Sequence, residues 1–237
     1  MQLIAHRGAS GLAPENTLAA FRLALELGAE ALELDVHQAA DKELVVIHDD
    51  DLLRTAGRRE MVRDLAWPEL RRFDVGAWFD TRFKGEIVPG LDEVFGLVGR
   101  RAEIHVEVKA GSGRYPGIEG RLVEFLRRRK ALKSCVVSSF DHKALFVLRG
   151  LEPRLRLGYL LGPTPLEAAW QEMEELRAES LNLGIKQVTS ARVAAGHRRR
   201  HKILVYTVND ARQARRLKDM GVDGIFSNFP RLLEKDA

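Results

Sequence analysis

The amino-acid sequence predicts an α/β fold, a TIM (β/α)8 barrel with a small insertion after the second strand. Short apolar segments typical of buried strands alternate with helical patterns eight times along the 237 residues. Eight such units with short connections favour a closed parallel barrel, and single barrel domains reach this length. No glycine-rich phosphate loop supports the main alternative, an open doubly wound sheet. We therefore expect residues 1–237 to form one domain.

Each predicted strand is a short apolar or alternating run, and the eight strands fall at residues 3–5, 31–36, 103–108, 135–138, 155–160, 180–183, 203–207 and 224–226. The intervening patterns place helices at residues 17–27, 91–97, 119–129, 142–149, 166–177, 190–197 and 211–220. Asn16 or Thr17 is the expected N-cap of the first helix, because either side-chain oxygen can accept a free amide hydrogen. Gly28 and Gly221 suit the ends of the helices before the second and eighth strands.

One segment interrupts this alternation. Residues 44–48 form an extra predicted strand, and residues 49–90 then contain no obvious strand–helix unit. We expect residues 49–90 to be an insertion that forms a small lid or subdomain at the barrel mouth. Its aromatic residues are expected to form its own core, although Trp67, Trp78 and Phe79 could instead line a path for an acyl chain. An ordered surface excursion without a role is the other alternative.

Composition and charge favour a globular protein and argue against nucleic-acid binding. Hydrophobic residues make up 45% of the chain and charged residues 30%, as in soluble globular proteins. The net charge of +4 is mild, and the basic runs at residues 127–130 and 198–200 lack interleaved aromatic side chains. We therefore expect these runs to be solvated helix ends, and we expect no nucleic-acid binding.

The sequence also bears on location. No apolar run is long enough to span a bilayer, and the N-terminal residues lack the pattern of a signal peptide, so no stable membrane anchor is expected. Cys135 is the only cysteine, which rules out an internal disulfide and favours the cytoplasm. Many Arg, Glu and Leu residues with few Asn and Gln hint at a thermophilic source.

Two predicted strands each carry acidic and basic side chains on one face. Side chains alternate along a strand, so Glu33, Asp35 and His37 share a face of the second strand. In the third strand the shared face carries Glu103, His105, Glu107 and Lys109. Neighbouring barrel strands would bring Glu33, Asp35 and Glu107 together, and carboxylates gather in a confined place only with a cation. Hard oxygen ligands suit one divalent cation, Mg²⁺ or Ca²⁺ with Mn²⁺ as a further option, and no cysteine or paired-histidine spacing argues for zinc.

Polar residues collect at the carboxyl ends of the predicted strands, where barrel enzymes carry out their chemistry. Residues of this kind follow the first, third, fourth, seventh and eighth strands: His6, Arg7, Glu107, Lys109, Ser138, Ser139, Tyr206, Asn209, Ser227 and Asn228. His6 and His48 each follow a strand, and imidazoles there can act as general acid and base. Arg7 and Lys109 would bind an anion with several oxygens, such as a phosphate. We expect His142, His197 and His201 on the surface of helices or loops.

Short segments in a specific order carry a family resemblance. They include His6-Arg7-Gly8, Pro14-Glu15-Asn16-Thr17, Glu33-Leu34-Asp35-Val36, Val46-Ile47-His48-Asp49, Leu53-Arg54-Thr55, Val106-Glu107-Val108-Lys109, Ser138-Ser139-Phe140-Asp141, Thr207-Val208-Asn209 and Gly221-Val222-Asp223-Gly224-Ile225. Each segment alone is weakly specific, but their order and spacing resemble the glycerophosphodiester phosphodiesterase family over nearly the whole chain. That family is a TIM barrel with a small insertion after the second strand.

The resemblance implies a function and a set of residue roles. It implies metal-dependent hydrolysis of glycerophosphodiesters to sn-glycerol 3-phosphate and an alcohol, with a small-molecule glycerophosphodiester as substrate. The matching positions make His6 and His48 the acid–base pair, Arg7 and Lys109 the phosphate ligands, and the carboxylates of residues 33, 35 and 107 the metal ligands. Five further residues are expected beside these groups or in the substrate pocket: His37, Asp49, His105, Tyr206 and Asn228.

The chain departs from the common family pattern at three of these positions. The family often has Trp where Tyr206 stands, Asp where Asn228 stands and Asn where His105 stands. These differences concern substrate fit and the partners of the catalytic groups. The nearest alternative function is a lysophospholipase D or phospholipase-type phosphodiesterase on the same scaffold. More distant alternatives are a catalytically silent binding barrel and a metal-dependent aldolase or isomerase.

Overall fold

A computed structural model describes residues 1–233 of the chain. Its nine strands are β1 Gln2–Ala5, β2 Ala31–Gln38, β3 Leu44–Val46, β4 Glu103–Val108, β5 Cys135–Ser139, β6 Arg156–Leu160, β7 Ser180–Gly184, β8 Lys202–Tyr206 and β9 Gly224–Ser227. Its α-helices are α1 Leu18–Glu26, α2 Leu53–Ala56, α3 Trp67–Leu70, α4 Leu91–Val98, α5 Ile118–Arg128, α6 His142–Leu151, α7 Leu166–Leu176, α8 Ser190–Arg198 and α9 Ala211–Asp219. Short 3₁₀ turns lie at Val62–Asp64, Thr81–Phe83 and Ile185–Gln187.

Eight of the strands close into a parallel barrel. Pairing runs from β1 through β9, β8, β7, β6, β5 and β4 to β2, and a further pairing of β1 with β2 closes the ring. The helices that follow the strands pack against the outside of the barrel. The predicted TIM barrel is therefore confirmed, and the predicted strand and helix positions agree with the observed ones to within a few residues.

Alternation along the strands decides which side chains face the barrel interior. All eight residues of β2 are buried. Leu32, Leu34 and Val36 join the main apolar cluster between the barrel and its helices, which leaves Glu33, Asp35 and His37 on the interior side. Parallel barrel strands have both faces covered, so polar residues on this face lie in an enclosed space rather than in solvent.

The turn that leads from β1 into α1 is shaped by local chemistry. Thr17 is the N-cap of α1 and accepts a hydrogen bond from the Ala20 amide at 3.2 Å, as predicted. Gly8 has a φ of +80°, and a Cβ atom there would lie 2.7 Å from the main chain of Ala20. Only glycine fits that conformation and that close approach, and the turn places Arg7 at the barrel mouth.

The segment at residues 49–90 has an apolar cluster separate from the barrel core. β3 pairs antiparallel with β2, and the chain then forms α2, α3 and two 3₁₀ turns before α4. The separate cluster consists of Ala39, Val45, Ile47, Leu52, Val62, Leu70, Val75 and Val88, with Trp67 and Phe73 packed against it. Trp78 was expected in this core but lies outside the cluster and is 42% exposed. Its ring lies under the Arg54 guanidinium, and its indole nitrogen donates to the Val75 carbonyl.

Charged residues join the strands at the amino-terminal end of the barrel. Arg156 of β6 donates to Glu103 of β4 and, with two bonds of 2.7 and 2.9 Å, to Glu179 just before β7. Lys202 of β8 also donates to Glu179, at 2.6 Å. This network links β4, β6, β8 and the residue before β7 at the end opposite the predicted site.

Two of the histidines expected at the surface lie elsewhere. His201 is buried under α7, where its ring stacks on Trp170 and its Nδ1 donates to the Ala178 carbonyl at 2.9 Å. His142 stacks on buried Tyr159 and donates to the Leu160 carbonyl at 2.9 Å. Their surroundings come from tertiary packing that a sequence pattern does not report. Among residues 1–233 no helix has both the length and the apolar character needed to cross a membrane.

Candidate active site

A cavity of about 190 Å³ opens at the carboxyl ends of the barrel strands. It is lined by His6, Arg7, Glu33, His48, Glu107, Lys109, Ser138, Phe140, Leu160, Asn182, Tyr206, Thr207 and Phe226. Six of the seven residues predicted from the sequence to be catalytic, to bind phosphate or to bind metal line this one space. The seventh, Asp35, lies directly beside it between Arg7 and Lys109.

Three carboxylates form a compact group on the wall of this cavity. Glu33 and Asp35 come from β2, and Glu107 comes from β4, where it pairs in register with Asp35. One oxygen from each of the three lies within 4.8 Å of the other two. The buried Oδ1 of Asp35 makes no hydrogen bond within residues 1–233, and the Lys109 ammonium lies 3.4 Å from it. The group therefore offers several hard oxygen ligands directed at one point.

The three carboxylates of this group have shifted pKa values. Burial, together with the nearby carboxylates, raises the pKa of Glu33 well above its usual value, and burial and Asp35 raise the pKa of Glu107. Asp35 differs, because Lys109 and Arg7 outweigh the effect of burial and lower its pKa to about 2. Carboxylates with raised pKa values in one small space are the condition that a bound divalent cation relieves.

Arg7 and Lys109 approach the carboxylates from two sides. The Arg7 main-chain amide donates to Glu33 at 2.9 Å, and its guanidinium contacts Asp35 at 3.2 Å and Glu15 at 2.9 Å. The Lys109 ammonium donates to Glu107 at 2.7 Å and lies 3.4 Å from Asp35. Both cations are thus fixed in place at the edge of the cavity, where an anion can reach them.

His6 has a neutral hydrogen-bond partner. Its Nδ1 lies 2.8 Å from the side-chain oxygen of Asn228. An amide oxygen only accepts, so Nδ1 carries the hydrogen and Nε2 is left with a free lone pair. Burial, followed by the charge of Arg7, lowers the pKa of His6 to about 4, so the ring is neutral at neutral pH.

His48 has a charged hydrogen-bond partner. Its Nδ1 donates to the Asp49 carboxylate at 2.6 Å. Asp49 is in turn held by the Arg54 guanidinium at 2.7 Å, and Arg54 also donates twice to Glu15. The chain of contacts from Arg7 through Glu15 and Arg54 to Asp49 connects the anion-binding side of the site with His48.

The five accessory residues lie at different distances from the cavity. Tyr206 lines it, while Asn228 and Asp49 contact the two histidines. His37 does not line the cavity, and its Nε2 donates to the His48 carbonyl at 3.0 Å. His105 lies one layer deeper, where it contacts Glu103 at 3.0 Å and packs against Phe226.

Sequence reasoning gave no role to several residues that build this site. Asn16 donates to Asp35 at 2.8 Å, and Glu15 bridges Arg7 and Arg54. Tyr115, in the loop after β4, contacts His37 at 2.6 Å. Glu15, Asn16 and Arg54 fall in two of the family-like segments, so the motifs contained a signal for them. Tyr115 lies outside every such segment.

A second, wider cavity of about 630 Å³ adjoins the first. The two cavities share His48 and Lys109. The remaining lining of the second is almost entirely charged: Asp49, Asp50, Asp51, Leu53, Arg54 and Arg114. A ligand centred at His48 and Lys109 could therefore extend one arm into the narrow cavity and the other into the wide, polar one.

Comparison with known proteins identifies the family. The model of the glycerophosphoryl diester phosphodiesterase family matches residues 6–232. A glycerophosphodiester phosphodiesterase of Caldanaerobacter subterraneus subsp. tengcongensis is 36% identical over 232 residues, which cover 98% of this chain and 95% of that protein. One of Bacillus altitudinis is 36% identical over 233 residues, which cover 97% of this chain and 95% of that protein.

Solved structures agree with these sequence matches. A phosphodiesterase of Oleispira antarctica, determined in complex with the product sn-glycerol-3-phosphate, superimposes with a TM-score of 0.93 at 30% identity, covering 99% of this chain and 96% of that chain. A glycerophosphodiester phosphodiesterase of Thermotoga maritima gives a TM-score of 0.82 at 28% identity, covering 98% and 96%. The predicted family and enzyme class are confirmed, and the chain belongs to the glycerophosphoryl diester phosphodiesterase family.

Proposed function

We propose that this enzyme hydrolyses glycerophosphodiesters to sn-glycerol 3-phosphate and an alcohol, in a reaction that depends on a divalent cation and on two histidines. The observation that carries the proposal is the single cavity into which three carboxylates, two fixed cations and two histidines converge. The Oleispira antarctica relative binds sn-glycerol-3-phosphate as product, which supports the same product here.

The carboxylate group fits a divalent cation. Glu33, Asp35 and Glu107 would hold it, since their oxygens lie within 4.8 Å of one another and the Asp35 Oδ1 lacks a hydrogen-bond partner among the described residues. All-oxygen ligands favour Mg²⁺, Ca²⁺ or Mn²⁺. A cation bound there supplies positive charge at the phosphoryl oxygens. Arg7 and Lys109 would bind the remaining phosphate oxygens and stabilise the charge that develops in the transition state.

The two histidines have different hydrogen-bond partners, and this difference suits one of them to act as the base and the other as the acid. His6 is neutral and presents a lone pair at Nε2, which suits a general base that takes a proton from the attacking hydroxyl. The hydrogen bond from His48 Nδ1 to the Asp49 carboxylate fixes the orientation of the ring and leaves Nε2 to give a proton to the leaving alkoxide, which suits a general acid. His48 also borders the wide cavity, toward which the leaving alcohol would extend.

Cavity size favours a deacylated substrate over a lysophospholipid. A glycerol group would occupy the narrow cavity of about 190 Å³, packed against Phe140, Leu160 and Tyr206. A long acyl chain on that glycerol has no enclosed space there. A hydrophilic alcohol suits the charged lining of the wide cavity. The lysophospholipase D alternative therefore has less structural support.

The test is a phosphodiester panel that includes glycerophosphocholine and a lysophospholipid, assayed with several divalent metals. We expect release of sn-glycerol 3-phosphate from glycerophosphocholine, loss of activity on exhaustive chelation, and recovery with added metal. Replacing His6 or His48 with Ala should lower turnover by about 10²–10⁴-fold. Full activity after chelation would refute the metal role. Near-wild-type turnover in a folded, metal-loaded histidine variant would refute the acid–base assignment. The cytoplasmic location and thermophilic source stay predictions from the sequence.

A further inference from the structure

We propose that Tyr115 and His37 are positioning residues that hold the His48 main chain in the place from which its imidazole protonates the leaving alcohol. The inference rests on the proposed function, since it presupposes that His48 is the general acid. Neither residue lines either cavity around His48, so neither would touch the substrate. Their effect would pass entirely through the His48 carbonyl.

The geometry of His37 assigns a direction to each of its hydrogen bonds. The ring is 0% exposed and lies on the interior face of β2, two residues beyond Asp35. Its Nε2 is 3.0 Å from the His48 carbonyl oxygen. Because a carbonyl oxygen only accepts, Nε2 carries a hydrogen and donates it. The other nitrogen, Nδ1, is 2.6 Å from the Tyr115 hydroxyl.

Tyr115 holds the His37 ring at its second nitrogen. Its ring is 2% exposed and meets the His37 ring edge-on, with centroids 5.5 Å apart. With the hydrogen on Nε2, Nδ1 has a lone pair and accepts a hydrogen bond from the Tyr115 hydroxyl. The Asp50 carboxylate is 3.8 Å from Nδ1, beyond hydrogen-bond distance, so Tyr115 is the partner that matters.

The loop that carries His48 needs such a support. His48 follows β3, and its side chain is held by Asp49, which belongs to the same loop. Two main-chain contacts tie this loop to β2: the Ile47 amide donates to the Asp35 carbonyl at 3.1 Å, and His37 donates to His48. Without the Tyr115 hydroxyl, the buried Nδ1 of His37 has no hydrogen-bond donor and the ring loses one of its two anchors. The ring can then shift, and its hydrogen bond to the His48 carbonyl weakens.

The dependence of turnover on the leaving group distinguishes a misplaced general acid from general damage to the active site. An alkoxide such as that of choline departs only with protonation, whereas a p-nitrophenolate departs without it. A displaced general acid therefore slows the first reaction selectively. The substrates are glycerophosphocholine and the p-nitrophenyl ester of sn-glycerol 3-phosphate, which share the glycerol phosphate and differ in the leaving group.

We expect Tyr115→Phe and His37→Leu to lower kcat on glycerophosphocholine by about 10–10²-fold, with KM nearly unchanged and the aryl ester hydrolysed at close to the wild-type rate. His37→Gln, whose amide can donate to the same carbonyl, should retain more activity than His37→Leu. Tyr159→Phe is the matched control. Tyr159 is also a buried tyrosine that contacts a histidine, His142 at 2.9 Å, but it lies outside the barrel interior. Both esters should be hydrolysed normally by this variant.

Two outcomes would overturn the inference. Equal losses on both esters in folded Tyr115→Phe and His37→Leu would mean general damage, and unchanged turnover on glycerophosphocholine would mean that the contact has no role. The variant His48→Ala distinguishes two cases. Either the positioning inference is wrong, or its premise, the general-acid role of His48, is wrong. If His48→Ala is selective for the alkyl leaving group and the positioning variants are not, only the inference is wrong. If His48→Ala slows both esters equally, the general-acid role of His48 is wrong as well.

Discussion

The partners of His6 and His48 differ by one functional group, and that difference sets the expected pH dependence. Asn228→Asp would place a carboxylate against Nδ1 of His6, in the position that Asp49 occupies beside His48. The carboxylate would favour the charged ring and raise the pKa of His6 from its value of about 4, by about 1–3 units. A general base works only when unprotonated, so the acidic limb of the kcat/KM profile should move to higher pH. Measuring activity between pH 4 and pH 8 would show this shift directly.

Asp49→Asn is the matched control for that substitution. It makes the reverse exchange of carboxylate and amide at His48 and leaves the surroundings of His6 intact. We expect it to lower kcat without moving the acidic limb. An unchanged acidic limb in Asn228→Asp would contradict the assignment of His6 as the base.

At this same scale, the sequence predicts the inward-facing residues better than their supports. Glu33, Asp35 and Glu107 could be placed together because strand alternation fixes their side and parallel neighbours bring them close. Tyr115 could not be placed in this way, because it lies in an irregular loop. There, no regular spacing along the sequence indicates which way a side chain points. Asn228 was expected near the catalytic groups, but its pairing with His6 could not be assigned, since the two residues follow the first and last strands of the barrel and are 222 positions apart.

Among the elements, the insertion at residues 49–90 has a cluster of its own, and this makes its stability partly independent of the barrel. Leu70 is fully buried in that cluster, which also contains Leu52, a residue between Asp49 and Arg54 in the chain. Leu70→Ala should destabilise the segment by about 2–5 kcal/mol, because it removes buried methyl groups and leaves a cavity. We expect activity to be lost on heating before the barrel unfolds, since the support of His48 loosens first.

Leu122→Ala provides the comparison for that variant. Leu122 is also fully buried but belongs to the main core between the barrel and α5. In this variant activity and circular dichroism should decline together. Measuring both signals against temperature distinguishes the two cases, and a single coincident transition in Leu70→Ala would refute partial independence.

The sequence predicted the elements of the barrel far better than those of the insertion. Strands such as β2 and β4 are bounded runs with clear alternation, and long helices such as α5 show an apolar stripe. Inside the insertion, α2 and α3 are four residues each, too short to show a helical period. Trp78 contacts Arg54 outside the cluster, and composition does not predict such a tertiary contact.

Considered as a whole molecule, the barrel separates its chemistry from its ion-pair network. At the carboxyl end three clustered carboxylates share the two cations Arg7 and Lys109. At the amino end Glu103 and Glu179 pair with Arg156 and Lys202. Hydrogen bonds from His105 and Arg156, acting against burial, lower the pKa of Glu103 to about 2, and Arg156 with Lys202 does the same for Glu179. The amino end therefore favours ionised carboxylates that support the fold, and the carboxyl end leaves carboxylates available to a cation.

This separation has a consequence for stability against acid. Glu103 and Glu179 bind protons more weakly in the folded chain than in the unfolded chain, where a glutamate pKa is about 4.3. Their contribution to the free energy of unfolding is therefore complete above that value and is lost as the pH falls from about 4 toward 2. Denaturant titrations at pH 7 and at successively lower pH should show the loss in that window.

Arg156→Met tests whether the network is the source of that acid sensitivity. The substitution leaves Glu103 and Glu179 partly buried without their shared partner, so it should lower the free energy of unfolding at pH 7 by about 1–3 kcal/mol. The same loss of the partner moves both carboxylates back toward their ordinary pKa values, so the variant should lose less stability than the wild type on acidification.

Arg58→Met, at the exposed Arg58–Glu60 pair, is the control and should change the free energy of unfolding by at most about 0.5 kcal/mol at either pH. If Arg156→Met shows the wild-type loss between pH 4 and pH 2, other carboxylates govern acid unfolding, and the amino-terminal network contributes at neutral pH through packing alone.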